Sequence, residues 1–161
     1  MKTITPLLLI ALLICFACTN NTTNNTGGHI SATKQQTNAT DTSIIFTTST
    51  LAEALKTSTQ TNKPIFMDVT AKWCKPCKEM EQQVFTNDEV AAYYNTNFVN
   101  LKLDIQEGDN KKVAQQYGVR NYPTLVYLDS KGEPLLSSIG IIDAAMLLDY
   151  GKETMADYHK K

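Results

Sequence analysis

Cysteine is scarce in this chain, because only four cysteines occur among its 161 residues. That number is too small for a framework of structural disulfides. The formal net charge is −1, and no basic run is longer than the terminal pair Lys160 and Lys161. Electrostatic capture of nucleic acid is therefore not expected. The sequence also lacks a glycine-rich dinucleotide loop, and its length suits one domain.

The N-terminal segment has too few consecutive apolar residues to span a bilayer as a helix. Eleven apolar residues, Leu7 to Ala17, follow the positively charged Lys2, whereas a spanning helix needs about 20. This pattern predicts a signal peptide over residues 1–17. Ala17 directly before Cys18 resembles the lipobox of bacterial lipoproteins, which implies acylation of Cys18. Plain secretion and an uncleaved anchor are the alternatives, and all three place the domain outside the cytoplasm.

Residues 18–43 contain little that could form a core. Thr and Asn fill 13 of the 25 positions from Thr19 to Ser43, and Ile30 is the one sizeable apolar side chain there. Such a segment buries too little surface to offset its ordering entropy, so we predict a disordered linker behind the lipid anchor. The folded domain is predicted over residues 44–161.

From Ile44 onward, short apolar runs alternate with amphipathic stretches. Strands are predicted at Ile44–Phe46, Pro64–Thr70, Phe98–Ile105, Thr124–Leu128 and Leu135–Ile139. Helices are predicted after capping boxes at Thr50–Glu53 and Thr86–Glu89, from Cys74 to Phe85, from a cap at Asp109 to Tyr117, where Gly118 ends the helix, and after Asp143. This order predicts an α/β sandwich in which helical crossovers join the early strands and a hairpin joins the last two.

The sequence Cys74-Lys75-Pro76-Cys77 opens one of these predicted helices. Two cysteines three positions apart at a helix start can approach closely enough to form a disulfide. Unpaired backbone N–H groups and the helix dipole at that end favour a thiolate, which is the nucleophilic form of cysteine. Pro76 falls in the first turn, where its missing N–H costs little and its ring stiffens the loop. We therefore expect Cys74 to be an exposed attacking cysteine and Cys77 a buried resolving cysteine.

A zinc site and a static structural disulfide are the alternatives for this cysteine pair. A zinc site needs two further ligands. Cys15 would leave with the signal peptide, Cys18 would be acylated, and His29 and His159 lie in the linker and the tail. We therefore expect no metal and no cofactor besides the redox-active disulfide.

Two further motifs accompany the cysteine pair: the stretch Tyr117–Thr124, which contains a Tyr-Pro pair, and Gly140 after the last predicted strand. Together the three motifs resemble the thioredoxin family from Ile44 to near the C-terminus. The likeness is greatest to the C-terminal periplasmic domain of thiol:disulfide interchange proteins and to small exported relatives. It implies a thioredoxin fold, a three-layer α/β sandwich with a central mixed sheet of four to five strands flanked by helices.

The resemblance also implies roles for two charged residues. Asp68 matches a buried carboxylate beneath the active site, which could accept a proton from Cys77 because burial raises a carboxylate pKa. Lys102 matches a lysine that pairs with this carboxylate. The alternatives are a strand-end aspartate that caps the backbone and a solvated strand lysine.

Three further residues match the surface that faces the substrate. Trp73 matches the tryptophan beside the cysteines, although a plain packing role is its alternative. Pro123 matches a cis-proline, and the backbone at Tyr122 would pair with a substrate segment as an added strand. Three lysines surround the cysteine pair: Lys72, Lys75 and Lys78. They either are simply solvated or favour the thiolate and acidic partners.

Taken together, these features predict a lipoprotein of the bacterial cell envelope that faces the periplasm and exchanges disulfides with protein thiols. We expect a monomer that acts as a reductant or electron relay and takes electrons from a membrane protein. A disulfide oxidase or isomerase of the same compartment is one alternative. A redox-inert binding module with the same fold is another.

Overall fold

The computed structural model describes residues 43–46 and 50–160. The predicted signal peptide, the lipidation of Cys18 and almost all of the predicted linker lie outside these residues. The helices of the described part are α1 (Leu51–Thr61), α2 (Lys75–Gln83), α3 (Asp88–Asn97), α4 (Asn110–Gln116) and α5 (Ala144–Tyr158). Its strands are β1 (Ile65–Thr70), β2 (Val99–Asp104), β3 (Thr124–Leu128) and β4 (Pro134–Ile139). None of these helices has both the length and the apolar character of a membrane-spanning helix.

The four strands form one mixed sheet in the order β2-β1-β3-β4. β1 pairs in parallel with β2 and antiparallel with β3, and β3 pairs antiparallel with β4. All six residues of β1 are buried, as expected of a central strand that is covered on both faces. The predicted α/β class and mixed sheet are confirmed.

Each face of the sheet carries its own core, because neighbouring side chains of a strand point to opposite faces. Phe66 and Tyr127 pack on one face with residues of α3 and α5. Met67 and Val126 pack on the other face with residues of α1 and α4. Helices therefore cover both faces, which gives the three layers expected.

Paired strand ends bring three loops to one edge of the sheet. Thr70, the last residue of β1, pairs with Asp104, the last residue of β2. Val69 pairs with Thr124, the first residue of antiparallel β3. The loops that follow β1 and β2 and the loop that precedes β3 consequently meet at this edge.

The strand predicted at Ile44–Phe46 is wrong. Ile44 is buried, but its N–H donates to the Phe85 carbonyl, and the N–H of Ile45 donates to the Asn95 side chain. The segment is thus tied to the end of α2 and to α3, and does not pair with the sheet. Of the four to five strands predicted, the described residues form four.

The predicted helix caps are confirmed at Thr50 and Asp143 and wrong at Thr86, while Asp109 precedes α4 without making a capping hydrogen bond. Thr50 and Glu53 form the expected capping box, and Asp143 accepts the N–H of Met146. The Thr86 hydroxyl instead donates to the backbone of the preceding turn, and Asn87 caps α3. A threonine hydroxyl can bond to the carbonyl four residues before it, so it does not have to serve as a cap.

Candidate active site

The cysteine pair lies where the chain leaves β1 and enters α2. A turn closed by a hydrogen bond from the Cys74 N–H to the Ala71 carbonyl, 2.9 Å long, connects the two elements. Cys74 is the N-cap of α2, and its sulfur accepts the N–H of Cys77 at 3.2 Å. The two residues form a disulfide with their Cα atoms 5.3 Å apart. Once reduced, Cys74 would place its sulfur at the helix end that favours an anion.

Both cysteines are 2% exposed, so the expected contrast between an exposed Cys74 and a buried Cys77 is absent from this disulfide form. The reason is local packing. The pair forms a small cluster with Ala71, and the partly buried Ile105 and Tyr122 pack against it.

Trp73, Tyr122 and Pro123 come together next to the disulfide. Trp73 is 64% exposed, and its ring lies edge-on to the Tyr122 ring with the centroids 5.7 Å apart. The Tyr122–Pro123 peptide bond is cis, as the resemblance implies. The Pro123 carbonyl accepts the N–H of Gly140 at 2.9 Å. An exposed aromatic platform therefore borders the cysteines, and the chain around Pro123 is fixed from the end of β4.

Asp68 lies in β1, six residues before Cys74. It is 1% exposed, and neither of its carboxylate oxygens has a hydrogen-bond partner. Burial raises its pKa from 3.8 to about 7, while the positive charge of Lys102 acts in the opposite direction. A buried carboxyl group with a pKa near neutrality can both accept and return a proton at physiological pH.

Lys102 lies beside Asp68 on β2 but forms its ion pair with Glu81 of α2. The Lys102 ammonium is 2.5 Å from a Glu81 carboxylate oxygen and 5.6 Å from the centre of the Phe46 ring. The negative charge of Glu81 contributes to the raised pKa of Asp68. The predicted pairing with Asp68 is thus an interaction between charges on neighbouring strands, and Glu81 takes the direct contact.

Sequence reasoning missed Glu81 as a residue of the site. Glu81 follows Cys77 by four positions in a helix, and this spacing places both residues on one face. That spacing was the available signal. The contact of Glu81 with Lys102 of β2 could not be inferred from spacing alone.

The three lysines near the disulfide differ in their surroundings. Lys75 and Lys78 are exposed. Lys72 lies 3.1 Å from Glu107 and 3.9 Å from Asp104, and the hydrogen bond and charge of Glu107 raise its pKa. Much of the positive charge at Lys72 is therefore balanced within the chain, and is less available to an acidic partner.

A metal site finds no support among residues 43–46 and 50–160. No group of three or more His, Cys, Asp or Glu side chains in this part of the chain could hold a metal ion. The chemistry that the described residues offer is that of the disulfide, the buried carboxyl group and the aromatic platform.

A mixed sheet between two helical layers, a Cys-x-x-Cys disulfide at a helix start and a cis-proline beside it define the thioredoxin class of proteins. Residues 51–154, more than half of the chain, match the family model of the thioredoxin-like domain. The chain belongs to this family.

Curated proteins with a similar sequence are named as thiol:disulfide interchange proteins. The thiol:disulfide interchange protein DsbD of Campylobacter jejuni is 33% identical over 99 residues, which are 60% of this chain and 17% of that protein. The chain thus spans about a sixth of the length of the curated relatives that it matches.

Two solved structures are also similar. A candidate disulphide-isomerase from Bacteroides thetaiotaomicron is 38% identical, with a TM-score of 0.65 over 73% of this chain and 97% of that one. The oxidised C-terminal domain of Neisseria meningitidis DsbD shares the fold, with a TM-score of 0.56 at 21% identity over 69% of this chain and 98% of that one. These relatives and neighbours are thiol–disulfide oxidoreductases of the thioredoxin type.

Proposed function

We propose that this chain exchanges disulfides with proteins through Cys74 and Cys77, and that it acts as a reductant or electron relay outside the cytoplasm. The observation that carries the proposal is the disulfide at the N-terminus of α2. The neighbouring platform of Trp73 and Tyr122 and the relatives named for disulfide interchange support it.

In the proposed reaction, the Cys74 thiolate attacks a sulfur atom of a substrate disulfide. A mixed disulfide forms, and the other substrate sulfur leaves as a thiolate. Cys77 then attacks the Cys74 sulfur, so the Cys74–Cys77 disulfide forms and the substrate is released with both of its sulfurs reduced. Two electrons pass to the substrate, and a membrane protein would have to return two electrons to the chain.

Asp68 is proposed to take the proton that Cys77 loses in the second step. With a pKa of about 7, it is partly ionised at neutral pH and can receive a proton. Glu81 and Lys102 form an ion pair beside it, in which Lys102 lowers and Glu81 raises the pKa of Asp68. These three residues act on proton transfer, and the sulfur atoms carry the electrons.

The location and anchoring are part of the proposal. The segment before the domain supports export and acylation at Cys18, and a tether there would keep the domain near a membrane. The proposed partners are protein thiols and disulfides near that membrane, a membrane protein that donates electrons, and no nucleic acid. The domain is proposed to act as a monomer, with the disulfide as its redox group and no other cofactor.

An isomerase is the second candidate function, and the 38% identity to the Bacteroides protein favours it. An oxidase of the same compartment is the other alternative. A redox-inert binding module is disfavoured, because the chain keeps both cysteines and a buried Asp68 in the strand that leads to them.

The reduction potential of the Cys74–Cys77 couple tests the direction of electron flow. Equilibration with glutathione or dithiothreitol buffers should give a value near that of thioredoxin, about −270 mV, for a reductant. A value between about −180 and −120 mV, the range from an isomerase to a strong oxidase, would reject the reductant. Insulin reduction with dithiothreitol, compared between the wild type and Cys74→Ser, separates a catalyst from a binder.

A further inference from the structure

The turn that precedes α2 and ends at Cys74 is hydrogen-bonded to a side chain from a distant part of the sequence. Lys72 and Trp73 occupy the centre of the turn that runs from Ala71 to Cys74. The backbone N–H of Lys72 donates to the side-chain oxygen of Gln106 at 2.9 Å. Gln106 is 34 positions away in the sequence and follows β2.

The loop that carries Gln106 is itself firmly placed. The N–H of Gln106 donates to the Asp104 carboxylate at 2.9 Å, and the Asn110 side chain donates to the Asp104 carbonyl at 2.9 Å. The N–H of Ile105 donates to the Thr70 carbonyl at 3.0 Å, which extends the pairing of β1 and β2 by one step. The backbone from which the Gln106 side chain extends is therefore held in place by hydrogen bonds.

The side chain of Lys72 gives the turn a weaker second attachment to the same loop. Its ammonium lies 3.1 Å from Glu107 and 3.9 Å from Asp104. The side chains of Lys72 and Glu107 are 66% and 61% exposed, and solvent screens such pairs strongly. The backbone bond to Gln106 fixes the peptide itself, whereas the ion pair holds only the end of a flexible side chain.

Trp73 connects this attachment to substrate binding. Its ring, 64% exposed, stands edge-on to Tyr122, which directly precedes Pro123. Trp73 is held on one side by this ring contact and on the other by the turn that Gln106 fixes. If the turn is free to rotate, the platform beside the disulfide loses its orientation while the disulfide remains.

We propose that Gln106 is a positioning residue for protein substrates, which holds the Ala71–Cys74 turn so that Trp73 stands against Tyr122 beside Cys74. This inference rests on the proposed function, since it assigns the platform to the binding of a protein disulfide. A folded or extended protein segment needs that platform, whereas a small aromatic disulfide needs only access to sulfur.

The test compares Gln106→Ala and Gln106→Glu with the wild-type chain. Glutamate keeps an oxygen at the same reach, so it should accept the Lys72 N–H as glutamine does. Gln106→Ala should raise the KM for insulin by about two- to five-fold, as expected for the loss of one partly exposed hydrogen bond. Its rate with 5,5′-dithiobis(2-nitrobenzoic acid) and the pH profile of Cys74 alkylation should stay unchanged, and Gln106→Glu should restore the KM.

Two readouts report the turn directly. Trp73 is the single tryptophan of the sequence, so its emission and anisotropy in Gln106→Ala should show a more mobile ring. Amide exchange at Lys72 should be protected in the wild type and in Gln106→Glu and should accelerate in Gln106→Ala. Gln116→Ala, at an exposed glutamine of α4, is the matched control and should change none of these measurements.

If the wild type is active and Gln106→Ala has the same KM for insulin as the wild type, the inference is overturned. Equal losses toward insulin and the small disulfide would also overturn it, because Gln106 would then act on the thiol. If Gln106→Ala does not fold, amide exchange of the wild type decides. A Lys72 amide that exchanges without protection would exclude its hydrogen bond to Gln106. A wild type that reduces neither disulfide would instead reject the proposed function.

Discussion

Asp68 is a single residue whose titration should be visible in the stability of the whole domain. Its pKa is about 7 in the folded chain and 3.8 ordinarily, because burial disfavours the carboxylate. Between these values the folded chain keeps the proton and the unfolded chain releases it. The stability that this group contributes is therefore complete below about pH 4 and is lost as the pH rises toward 7.

We expect the unfolding free energy of the wild type to fall between pH 4 and pH 8, relative to Asp68→Asn, by on the order of 4 kcal/mol. Asparagine carries no titrating proton, so the variant should lack this decline. Urea unfolding of both proteins in the disulfide form at several pH values measures the difference. Parallel stability curves for the two proteins would show that Asp68 does not titrate in this range.

The same substitution should separate the two chemical steps. Asp68→Asn removes the proposed proton acceptor of Cys77, so release of a mixed disulfide should slow by about 10²-fold or more. The first attack by Cys74 should remain nearly unchanged. Quenched-flow reduction of a substrate disulfide, in which acid traps the mixed disulfide, measures the rates of both steps. Equal slowing of the two steps would reject the proposed role of Asp68.

Gly151 is the residue through which α5 approaches α3. A Cβ atom added there would lie 3.1 Å from the Tyr94 hydroxyl and 3.2 Å from its ring. Tyr94 is fully buried, stacks on Phe98 and donates to the Leu147 carbonyl at 2.7 Å. Because its one proton is used there, the Tyr127 hydroxyl must donate the 2.6 Å bond between the two tyrosines. The ring cannot move without breaking these contacts.

We therefore expect Gly151→Ala to destabilise the domain by a net amount of up to about 2 kcal/mol, because overpacking a core usually costs about 1–3 kcal/mol. This cost should exceed the gain of about 1 kcal/mol that alanine brings to a helix interior. Urea unfolding measures the change, and Lys152→Ala on the exposed side of α5 is the control. A more stable Gly151→Ala would mean that α3 and α5 can separate at little cost.

At the scale of elements, local signals predicted most of the fold. The Thr50 capping box and the Asp143 cap depend on residues within one turn, and both are present. Gly118 ends α4 with a positive φ of 70°, as predicted for a glycine after a helix. Ile44–Phe46 was mistaken for a strand because an apolar run shows only that it is buried. Its hydrogen-bond partners, Phe85 and Asn95, are set by tertiary structure.

The site follows the same division. Cys74 and Cys77 could be assigned from their spacing, and their disulfide is present. Gln106 could not, because its contact with Lys72 joins two loops 34 positions apart and exists only when β1 and β2 pair in parallel. The partner of Lys102 was also set by tertiary structure, since a helix passing above the sheet supplies Glu81.

At the scale of the whole molecule, the lipid anchor is the first prediction. Metabolic labelling with palmitate should mark the wild type and not Cys18→Ala, because the thiol of Cys18 would carry the acyl modification that anchors the chain. The substitution should also release the domain from the membrane fraction. Equal labelling of both proteins would reject Cys18 as the site.

The second whole-molecule prediction concerns partners. Cys77→Ala leaves Cys74 able to attack a disulfide but removes the thiol that resolves the adduct, so covalent complexes should accumulate on non-reducing gels. A reductant should trap oxidised client proteins, whereas an oxidase should trap newly exported thiol proteins. The variant that also lacks Cys74 must lose every adduct, and adducts that persist there would implicate another cysteine.

The strand order also has a consequence for biogenesis. β1 lies between β2 and β3, so the strand that leads into the cysteines is synthesised well before one of its two neighbours. Under the proposed export, Cys74 and Cys77 reach the outer compartment before Tyr122, which packs against them in the finished fold. During translocation both thiols are open to the oxidants of that compartment. Under the proposed export, the chain would therefore itself be a substrate for disulfide-forming oxidants before it acts on other proteins.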